Sequence, residues 1–342
     1  MSVAQAHEFF VQWHLTERCN LRCRHCYQGV GTAEEMSQGQ ALSVVDEVSD
    51  TIEEWSEDYG IKFSPSANIS GGEPLLRKDL FVIMEELRRR GFGLYLLTNG
   101  TLVDSGKARR LADLGLRGVQ VSIEGPEDVH EEIRGKGSFS SSMRGVENLL
   151  AAGLTVTLNA TLSRLNAPRF MELVVLAEES GVQRLGFSRL VPSGRGRELM
   201  GQALDKWQLS SLYEAIFSLK PSSLGIVTGD PVAMQSTLPD SVDAGSVPVG
   251  GCAAGLSGLT LLPDGTVLPC RRLPVSLGNV LEDSVREIWA TSETLGALRD
   301  RQKYRGKCAA CPRWAACRGC RAIAYAQGGN LLAEDPGCFI GD

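Results

Sequence analysis

Three cysteines near the start of the chain have a spacing that suits metal or cluster chemistry. Cys19, Cys23 and Cys26 form a C-x3-C-x2-C pattern directly after an apolar run over residues 9–15. Thiols this close in sequence are poor partners for mutual disulfides, and three thiolates leave a four-iron cluster with one open coordination position. A degenerate zinc knuckle and three plain buried thiols are the alternatives, because free cysteine packs as a small apolar residue. The cluster interpretation requires a further ligand from elsewhere.

Alternating structural elements must position these cysteines. Short apolar runs predict six strands, at Phe9–Leu15, Ser66–Ser70, Gly93–Thr98, Gly118–Ile123, Leu154–Thr161 and Arg184–Leu190. Helical patterns lie between them, near residues 39–56, 78–90, 104–114, 141–152 and 168–180. Strands separated by helices form parallel βαβ units, so we predict an α/β fold with a partial (β/α)6 barrel that resembles a TIM barrel. The active site of such a barrel lies at the carboxyl ends of its strands.

Length and composition narrow the class of protein. The 342 residues suggest about two domains, and 43% hydrophobic residues suffice for a core. No apolar run is long enough to span a membrane and no signal peptide is evident, which predicts a cytoplasmic protein. Ten cysteines without an export signal favour metal-binding thiols over disulfides. The net charge of -6 argues against general affinity for nucleic acid.

Glycines and polar residues follow three of the predicted strands. These segments are Gly71-Gly72-Glu73-Pro74, Asn99-Gly100 and Glu124-Gly125-Pro126. A glycine pair lets the backbone approach a ligand closely, and a neighbouring carboxylate suits the ammonium group of an amino acid. We therefore expect the three segments to meet on the catalytic face of the barrel.

The cysteine motif and Gly71–Pro74 together resemble the radical S-adenosylmethionine (radical SAM) family, whose motif is C-x3-C-x-aromatic-C. Here His25 stands at the aromatic position and Tyr27 follows the last cysteine. The resemblance implies that the three cysteines hold a [4Fe-4S] cluster, whose open iron binds the amino and carboxylate groups of S-adenosylmethionine (SAM). It also implies that Tyr27 lies beside this cofactor, and that Gly71, Gly72, Glu73 and Pro74 contact its methionyl amino group.

A second stretch, from Ser122 to Phe139, resembles the S-x-D-G-P and H-D-x-x-R-G-x-G-S-F segments of the same family, with Glu124 in place of the usual aspartate. The resemblance implies that Ser122 binds the ribose hydroxyls and that Arg134 binds the methionyl carboxylate, a suitable ligand for a guanidinium fork. A strand-end serine and a surface ion pair are the alternatives. Weaker candidates for contact with the nucleoside stand at other strand ends, namely Asn99, Asn159 and Leu190.

Two more titratable residues are candidates for proton transfer. Histidine titrates near neutrality, so His130 could move protons, although a helix-end residue is the favoured interpretation. Asp230 precedes Pro231 in a connection rich in Gly, Ser and Pro over residues 221–251, which we expect to line the substrate cavity. Asp230 is therefore a candidate catalytic acid or base, against a plain turn aspartate.

Seven further cysteines lie near the C-terminus. The C-x2-C-x5-C-x2-C run from Cys308 to Cys320 would by itself fit a zinc ribbon. The complete order resembles the SPASM extension of radical SAM enzymes, except that the last spacing is x2 instead of x3. The resemblance implies two auxiliary [4Fe-4S] clusters, hence three clusters in the chain. Their expected ligands are, for the distal cluster, Cys308, Cys311, Cys317 and Cys338, and for the proximal cluster, Cys252, Cys270 and Cys320.

The short spacing between Cys317 and Cys320 departs from the family pattern, and the proximal set leaves an open or non-cysteine position. A basic stretch from Arg299 to Arg321 holds eight Lys or Arg against Asp300 alone. It either binds an anionic substrate or, as we prefer, offsets the negative charge of nearby thiolate clusters. We predict a barrel domain over residues 1–200, a connecting helix and loop over 201–250, and a cysteine-rich SPASM domain over 251–342.

The resemblance implies an enzyme that cleaves SAM reductively to methionine and a 5'-deoxyadenosyl radical, which abstracts hydrogen from an unactivated carbon. An iron-sulfur electron-transfer protein is the alternative outside the enzymes, but such a protein needs no SAM site. The expected electron donor is a flavodoxin or a ferredoxin.

The substrate favoured by the resemblance is a ribosomally made peptide or a protein side chain. Only 18 residues precede Cys19, so we expect a separate protein to recruit the peptide. The alternative is oxidation or decarboxylation of a tetrapyrrole carboxylate, because residues 278–336 resemble the branch that trims siroheme-derived tetrapyrroles.

Overall fold

A computed structural model describes residues 7–29, 34–220, 223–236 and 250–340. Its strands form one sheet of ten. They are β1 (His7–His14), β2 (Phe63–Ser70), β3 (Gly93–Thr98), β4 (Gly118–Ser122), β5 (Val156–Leu162), β6 (Arg184–Arg189), β7 (Gly225–Thr228), β8 (Gly258–Leu261), β9 (Thr266–Leu268) and β10 (Gly278–Asn279).

The helices are α1 (Gln38–Tyr59), α2 (Leu80–Arg89), α3 (Ser105–Asp113), α4 (Glu127–Arg134), α5 (Ser138–Ala151), α6 (Phe170–Glu179), α7 (Lys206–Ser218), α8 (Val285–Thr291), α9 (Glu293–Arg299), α10 (Lys307–Ala310) and α11 (Arg321–Gly328). Ser37 begins α1 with a capping box that includes Gln40, and Gly60 ends it in the left-handed conformation. No helix in the described part of the chain is both long and apolar enough to cross a membrane.

The strand order is β10-β9-β8-β1-β2-β3-β4-β5-β6-β7. Neighbouring strands from β8 through β1 to β7 are all parallel, whereas β9 and β10 complete the sheet by antiparallel pairing. The prediction of an α/β fold with six consecutive parallel strands is confirmed. Because the strands are parallel, the loops that follow them gather at one edge of the sheet.

Burial along β5 shows how the sheet separates core from site. Val156, Leu158 and Ala160 are buried on one face, whereas Asn159 and Thr161 alternate with them and line a cavity on the other. This period of two follows from strand geometry. The apolar face packs against helices in a core that extends from β1 to α8.

Two parallel strands extend the sheet beyond the six that the sequence predicts. β7 lies within residues 221–251, which we predicted as a connection, and residues 221–222 and 237–249 of that connection lie outside the described part of the chain. β8 belongs to the predicted third domain and pairs with β1, with Phe10 opposite Gly258. The C-terminal region is therefore joined to the barrel through the sheet itself.

Candidate active site

A cavity of about 400 Å³ lies at the carboxyl ends of the parallel strands. Cys19, Cys23 and Cys26 all line it, from the loop after β1. Its walls also include predicted cofactor residues, namely Tyr27, Gly71, Gly72, Asn99, Ser122, Arg134 and Asn159. The structure thus brings most of the predicted site residues to one cavity.

The three thiols differ in exposure and in the groups that face them. Cys19 is exposed, Cys23 is buried and Cys26 is intermediate. Burial raises the pKa of the Cys19 and Cys23 thiols, and for Cys23 the charge of Arg134 partly opposes this rise. Arg134 Nη1 lies 3.7 Å from the Cys23 sulfur, and the Leu21 N–H lies 3.4 Å from that of Cys19. Donors aimed at sulfur suit thiolates that ligate iron.

The glycine pair lets two backbone segments touch. A Cβ on Gly71 would lie 2.3 Å from the Thr16 carbonyl oxygen, and a Cβ on Gly72 would lie 2.3 Å from that of Arg18. The Gly72 N–H donates to the Thr16 carbonyl at 2.7 Å. The pair therefore fixes the segment that leads into Cys19, in addition to exposing backbone to the cavity.

Glu73 does not line the cavity and is completely buried. Its carboxylate accepts hydrogen bonds from Thr98 Oγ1 at 2.8 and 2.9 Å and from the Asn99 N–H at 2.8 Å. Burial raises its pKa. The carboxylate thus holds the end of β3, and Gly71 and Gly72 rather than Glu73 face the space that a ligand would fill. Pro74, also buried, begins the 3-10 helix Pro74–Leu76.

Asn99 contacts the cysteine loop. Its Nδ2 donates to Asn20 Oδ1 at 2.9 Å and lies 3.9 Å from the Cys19 sulfur. Its carbonyl oxygen accepts from Ser142 Oγ at 2.7 Å. Asn99 is therefore coupled to the loop and to the cavity at once.

Glu124 and Arg134 form a buried ion pair at the wall of the cavity. Arg134 donates through Nη2 and Nε to one oxygen of Glu124, at 2.5 and 2.8 Å. His25 Nε2 lies 3.1 Å from the same oxygen. Although burial opposes ionisation, Arg134 and His25 hold the pKa of the Glu124 carboxyl well below its usual range. The guanidinium fork of Arg134 is thus largely occupied by Glu124, with Nη1 left near Cys23.

His130 supports this wall from behind. It is fully buried, its Nδ1 accepts from the Glu124 N–H at 3.3 Å, and its ring packs edge-on against Phe139. It is not among the cavity-lining residues, and it lies within α4 rather than at a helix end. These contacts give His130 a structural role in holding Glu124 in position.

Asp230 lies in a buried network behind the cavity. Its carboxylate accepts from Arg189 Nε and Nη2 at 2.5 and 2.9 Å, and also from the Tyr213 hydroxyl. Arg189 bonds equally to Asp335, whose carboxylate accepts from the Cys320 N–H at 2.6 Å. Arg189 lines the cavity but Asp230 does not, so a role for Asp230 as acid or base at the cavity lacks geometric support.

Leu190 is buried and lines a different cavity, beside α7 and α11. No sequence motif predicts His14, whose ring lies within hydrogen-bond distance of Tyr27 and Gln28 at 3.2 and 3.1 Å. Burial, with a smaller contribution from Arg271, lowers the pKa of His14 to about 3. His14 is therefore uncharged near neutral pH and joins the end of β1 to the cysteine loop through these contacts. No local pattern in the sequence indicates this role.

A second cavity, of about 230 Å³, lies in the C-terminal region. Four cysteines line it, namely Cys308, Cys311, Cys317 and Cys338. Gln235 Nε2 lies 3.4 Å from the Cys338 sulfur, and Arg321 Nη2 lies 3.8 Å from that of Cys308. These are the four cysteines that the resemblance groups together.

The remaining three C-terminal cysteines lie near one another. Cys270 packs against the cluster of buried side chains that includes Cys252 and against the one that includes Cys320. Burial raises the pKa of Cys320 to about 12, and its neighbours include Arg272 and Cys252. Arg318 and Gly319 both have φ near 60°, at 60° and 59°. This tight turn lets Cys317 and Cys320 face different sites despite the short spacing.

Four distal thiols line one cavity, as the ligands of an iron-sulfur cluster do. Within the described residues, no three His, Cys, Asp or Glu side chains converge as closely as the ligands of one metal ion do. Each thiolate of a four-iron cluster binds a different iron, so the thiolates lie farther apart, around the cluster, than the ligands of one ion do. Three residues of the predicted basic stretch are buried, namely Arg313, Arg318 and Arg321. Arg318 lines the cavity of the four distal cysteines, and Arg321 lies beside Cys308. That arrangement favours offsetting of cluster charge over binding of an anionic substrate.

Six arginines on the main cavity were not predicted. They are Arg18, Arg22, Arg189, Arg195, Arg271 and Arg272. Arg272 Nη1 donates to the Arg189 carbonyl at 3.3 Å, and its buried Nε has no hydrogen-bond partner among the described residues. The six stand on separate segments of the chain, which explains why spacing alone does not identify them, although Arg271 and Arg272 follow Cys270 directly.

Comparison with known families gives two matches. The model of the radical SAM superfamily matches residues 13–176, and the model of an iron-sulfur cluster-binding domain, SPASM, matches residues 252–312. The first match contains the three N-terminal cysteines together with the Gly71–Pro74 and Ser122–Arg134 segments.

Two curated relatives and one solved structure extend these matches. The AdoMet-dependent heme synthase of Methanosarcina barkeri is 32% identical, over 96% of this chain and 95% of the relative. Mycofactocin maturase MftC of Mycobacterium tuberculosis is 31% identical, over 96% of this chain and 82% of the relative. Streptococcus suis SuiB bound to the precursor peptide SuiA has a TM-score of 0.76 at 17% identity, over 98% of this chain and 76% of SuiB, which is a likeness of fold.

Proposed function

The chain belongs to the radical SAM superfamily and carries a SPASM domain, and from this premise we propose that it removes hydrogen from a carbon atom of a bound substrate. When bound, a [4Fe-4S] cluster and SAM supply the electron and the 5'-deoxyadenosyl radical that this reaction needs. The observation that carries the proposal is the single cavity lined by Cys19, Cys23, Cys26 and the glycine pair.

The residues around that cavity divide into ligands and supports. The three cysteines would hold the cluster, and the backbone of Gly71 and Gly72 would receive the methionyl amino group. Ser122 and Asn159 stand side by side on β4 and β5 in register, where a ribose would lie across them. Glu73 and Pro74 do not line the cavity, but the Glu73 carboxylate fixes the Asn99 backbone beside it. Leu190 lines a different cavity.

Arg134 remains our candidate for the methionyl carboxylate. Its Nη1 is the nitrogen that Glu124 leaves free, and it lies on the Cys23 side of the cavity. Glu124 and His25 fix the plane of the guanidinium, so one edge remains in place for a carboxylate.

The C-terminal cysteines would hold two auxiliary [4Fe-4S] clusters. Four thiols around one cavity support the distal assignment to Cys308, Cys311, Cys317 and Cys338. The proximity of Cys252, Cys270 and Cys320 supports the proximal one. Arg272 touches both the main cavity and the surroundings of Cys270 and Cys320, so the proximal site lies next to the substrate space. A cluster there would accept the electron that a substrate radical releases.

A peptide or protein is our first candidate substrate. Mycofactocin maturase MftC, a relative over most of both chains, supports it. A cavity open at the carboxyl ends of the strands suits one side chain of a longer chain, and we expect a separate protein to recruit the peptide.

A tetrapyrrole carboxylate is the second candidate, and the charge of the cavity favours it. Seven arginines line the cavity against one acidic residue, Glu17. Carboxylates pair with three of the seven, Arg18, Arg134 and Arg189. The other four have no carboxylate partner within the described residues, which suits a substrate with several carboxylates. The heme synthase relative supports the same candidate.

Formation of 5'-deoxyadenosine tests the reaction. Anaerobically reconstituted protein, reduced by dithionite or by a flavodoxin in the presence of SAM, should release 5'-deoxyadenosine and methionine. Cys23→Ala should abolish this product while unfolding at a similar denaturant concentration. Background levels from the wild-type protein with a full iron content would refute the proposal.

Mass spectrometry of the products distinguishes the two candidate substrates. Fe-coproporphyrin III tests the tetrapyrrole, and peptides encoded by short reading frames beside the gene test the first candidate. A loss of mass from the porphyrin coupled to 5'-deoxyadenosine would assign the second candidate and exclude the first.

A further inference from the structure

Arg318 combines three features that the reaction described above does not use. It is the one non-glycine residue with positive φ in the described part of the chain, at 60°. Its exposed fraction is 1%, and it lines the cavity of the four distal cysteines. A buried arginine held in a conformation that favours glycine indicates a constraint from its side chain.

The guanidinium of Arg318 is anchored on one edge. Its Nη2 donates to the carbonyl of Gly250 at 2.8 Å and also to that of Cys252. The Cys252 N–H in turn donates to the Cys317 carbonyl at 3.1 Å. Arg318 therefore stands between a cysteine of the proximal set and a cysteine of the distal set.

The other edge of the guanidinium lies near the Tyr304 hydroxyl and faces no carboxylate of a described residue. Within the described residues, Nε and Nη1 are buried and have no hydrogen-bond partner. Asp335, the carboxylate on the same cavity, pairs with Arg189 instead. Among the described residues no carboxylate pairs with Arg318, so the thiolates and their cluster are the groups on this cavity that would balance its charge.

We propose that Arg318 provides a buried positive charge between the two auxiliary clusters. This charge raises the reduction potential of the distal cluster and, to a smaller extent, that of the proximal one. Reduction adds one electron to a cluster, and a buried positive charge stabilises the added electron because the low local dielectric screens it little. The inference rests on the proposed function in one respect, the assignment of the C-terminal cysteines to two clusters.

The left-handed conformation of Arg318 allows its charge to be removed without a change in the turn. Asparagine and glycine both tolerate positive φ, so Arg318→Asn and Arg318→Gly remove the charge while they keep the turn. Arg318→Lys keeps the charge and loses the planar fork. Arg301→Gln is the matched control, since Arg301 donates to the carbonyl of Cys311 at 3.1 Å but does not line the cavity.

The measurement is a redox titration of the reconstituted full chain with dithionite, followed by electron paramagnetic resonance. Arg318→Asn should change the ratio of reduced to oxidised distal cluster at a fixed potential by about tenfold towards oxidised, a midpoint shift of about 59 mV for one electron. Arg318→Lys and Arg301→Gln should stay close to wild type.

Each outcome decides the matter. Unchanged potentials in Arg318→Asn with full iron content would overturn the inference and leave the proposed function intact. An equal shift in Arg301→Gln would also overturn it. If Arg318→Asn and Arg318→Gly fail to bind the auxiliary clusters while Arg318→Lys binds them, the role of Arg318 is assembly instead. Absence of auxiliary clusters from the wild-type protein would refute the cluster assignment of the proposed function.

Discussion

The carboxylate of Glu73 accepts a 2.8 Å hydrogen bond from the backbone N–H of Asn99. This bond joins the glycine-rich loop after β2 to the end of β3, and the side chain of Asn99 continues to the cysteine loop through Asn20. Two segments that would contact SAM are thereby held in a fixed relation by a residue that does not reach the cavity.

We expect Glu73→Gln to raise the KM for SAM about tenfold, since a lost hydrogen bond to a charged group costs about 1.5 kcal/mol or more. The rate of 5'-deoxyadenosine formation at several SAM concentrations measures this. Glu86→Gln, which removes a surface ion pair on α2, is the control. An unaltered KM in Glu73→Gln would show that Asn99 keeps its position without this bond.

The buried pair of Glu124 and Arg134 makes a prediction about stability. Removing one partner of a buried ion pair leaves the other charge uncompensated, so Glu124→Gln should lower the free energy of unfolding by about 3 kcal/mol. Denaturant unfolding measures it. The control is Asp128→Asn, which breaks an exposed pair with Arg169 and should cost far less. Equal losses in the two variants would contradict a special role for the buried pair.

Much of this arrangement could be predicted from the sequence, because the residues of a short contiguous motif stay close together in the fold. The three N-terminal cysteines, the glycine pair and Ser122 each stand at the end of a strand, and parallel strands bring those ends together. The cavity residues on β4 and β5 follow from the same rule.

Residues whose role depends on distant partners were not accessible. Asp230 looked like a free acid or base because its partner Arg189 is 41 positions away, and Arg189 bonds to Asp335 across another 146. β7 and β8 have four residues each, too few for a period of two to stand out. Glu73 shows the same limit within a motif, since its burial is imposed by Thr98 and Asn99.

The burial of His130 leads us to predict that the free energy of unfolding depends on pH. Burial, with Arg134 in a smaller role, lowers its pKa from 6.5 to about 4. The unfolded chain therefore takes up a proton below pH 6.5, whereas the folded chain does so only near pH 4. The contribution of His130 to stability is complete above pH 6.5 and is lost as the pH falls towards 4, by about 3 kcal/mol in total.

His130→Asn should consequently show a smaller loss of stability than wild type between pH 7.5 and pH 5. Denaturant unfolding at both pH values, with reconstituted protein under anaerobic conditions, gives the difference. His7→Gln is the control, because His7 is exposed at the start of β1. If the pH dependence of His130→Asn equals that of wild type, the buried neutral state of His130 does not contribute.

Gly72 links backbone packing to the assembly of the N-terminal cluster. A Cβ there would lie 2.3 Å from the Arg18 carbonyl oxygen, and backbone cannot move aside as a flexible side chain can. Gly72→Ala should displace the segment leading into Cys19, so that iron falls from ~12 to ~8 atoms per chain, the loss of one four-iron cluster. Gly39→Ala, where an added Cβ meets nothing within 4 Å, should retain all the iron. Because the atoms nearest an added Cβ on Gly72 belong to Glu17 and Arg18 and to none of the C-terminal cysteines, the signals of the auxiliary clusters in electron paramagnetic resonance should persist in Gly72→Ala. Loss of all clusters together would instead mean that the glycine pair stabilises the whole barrel.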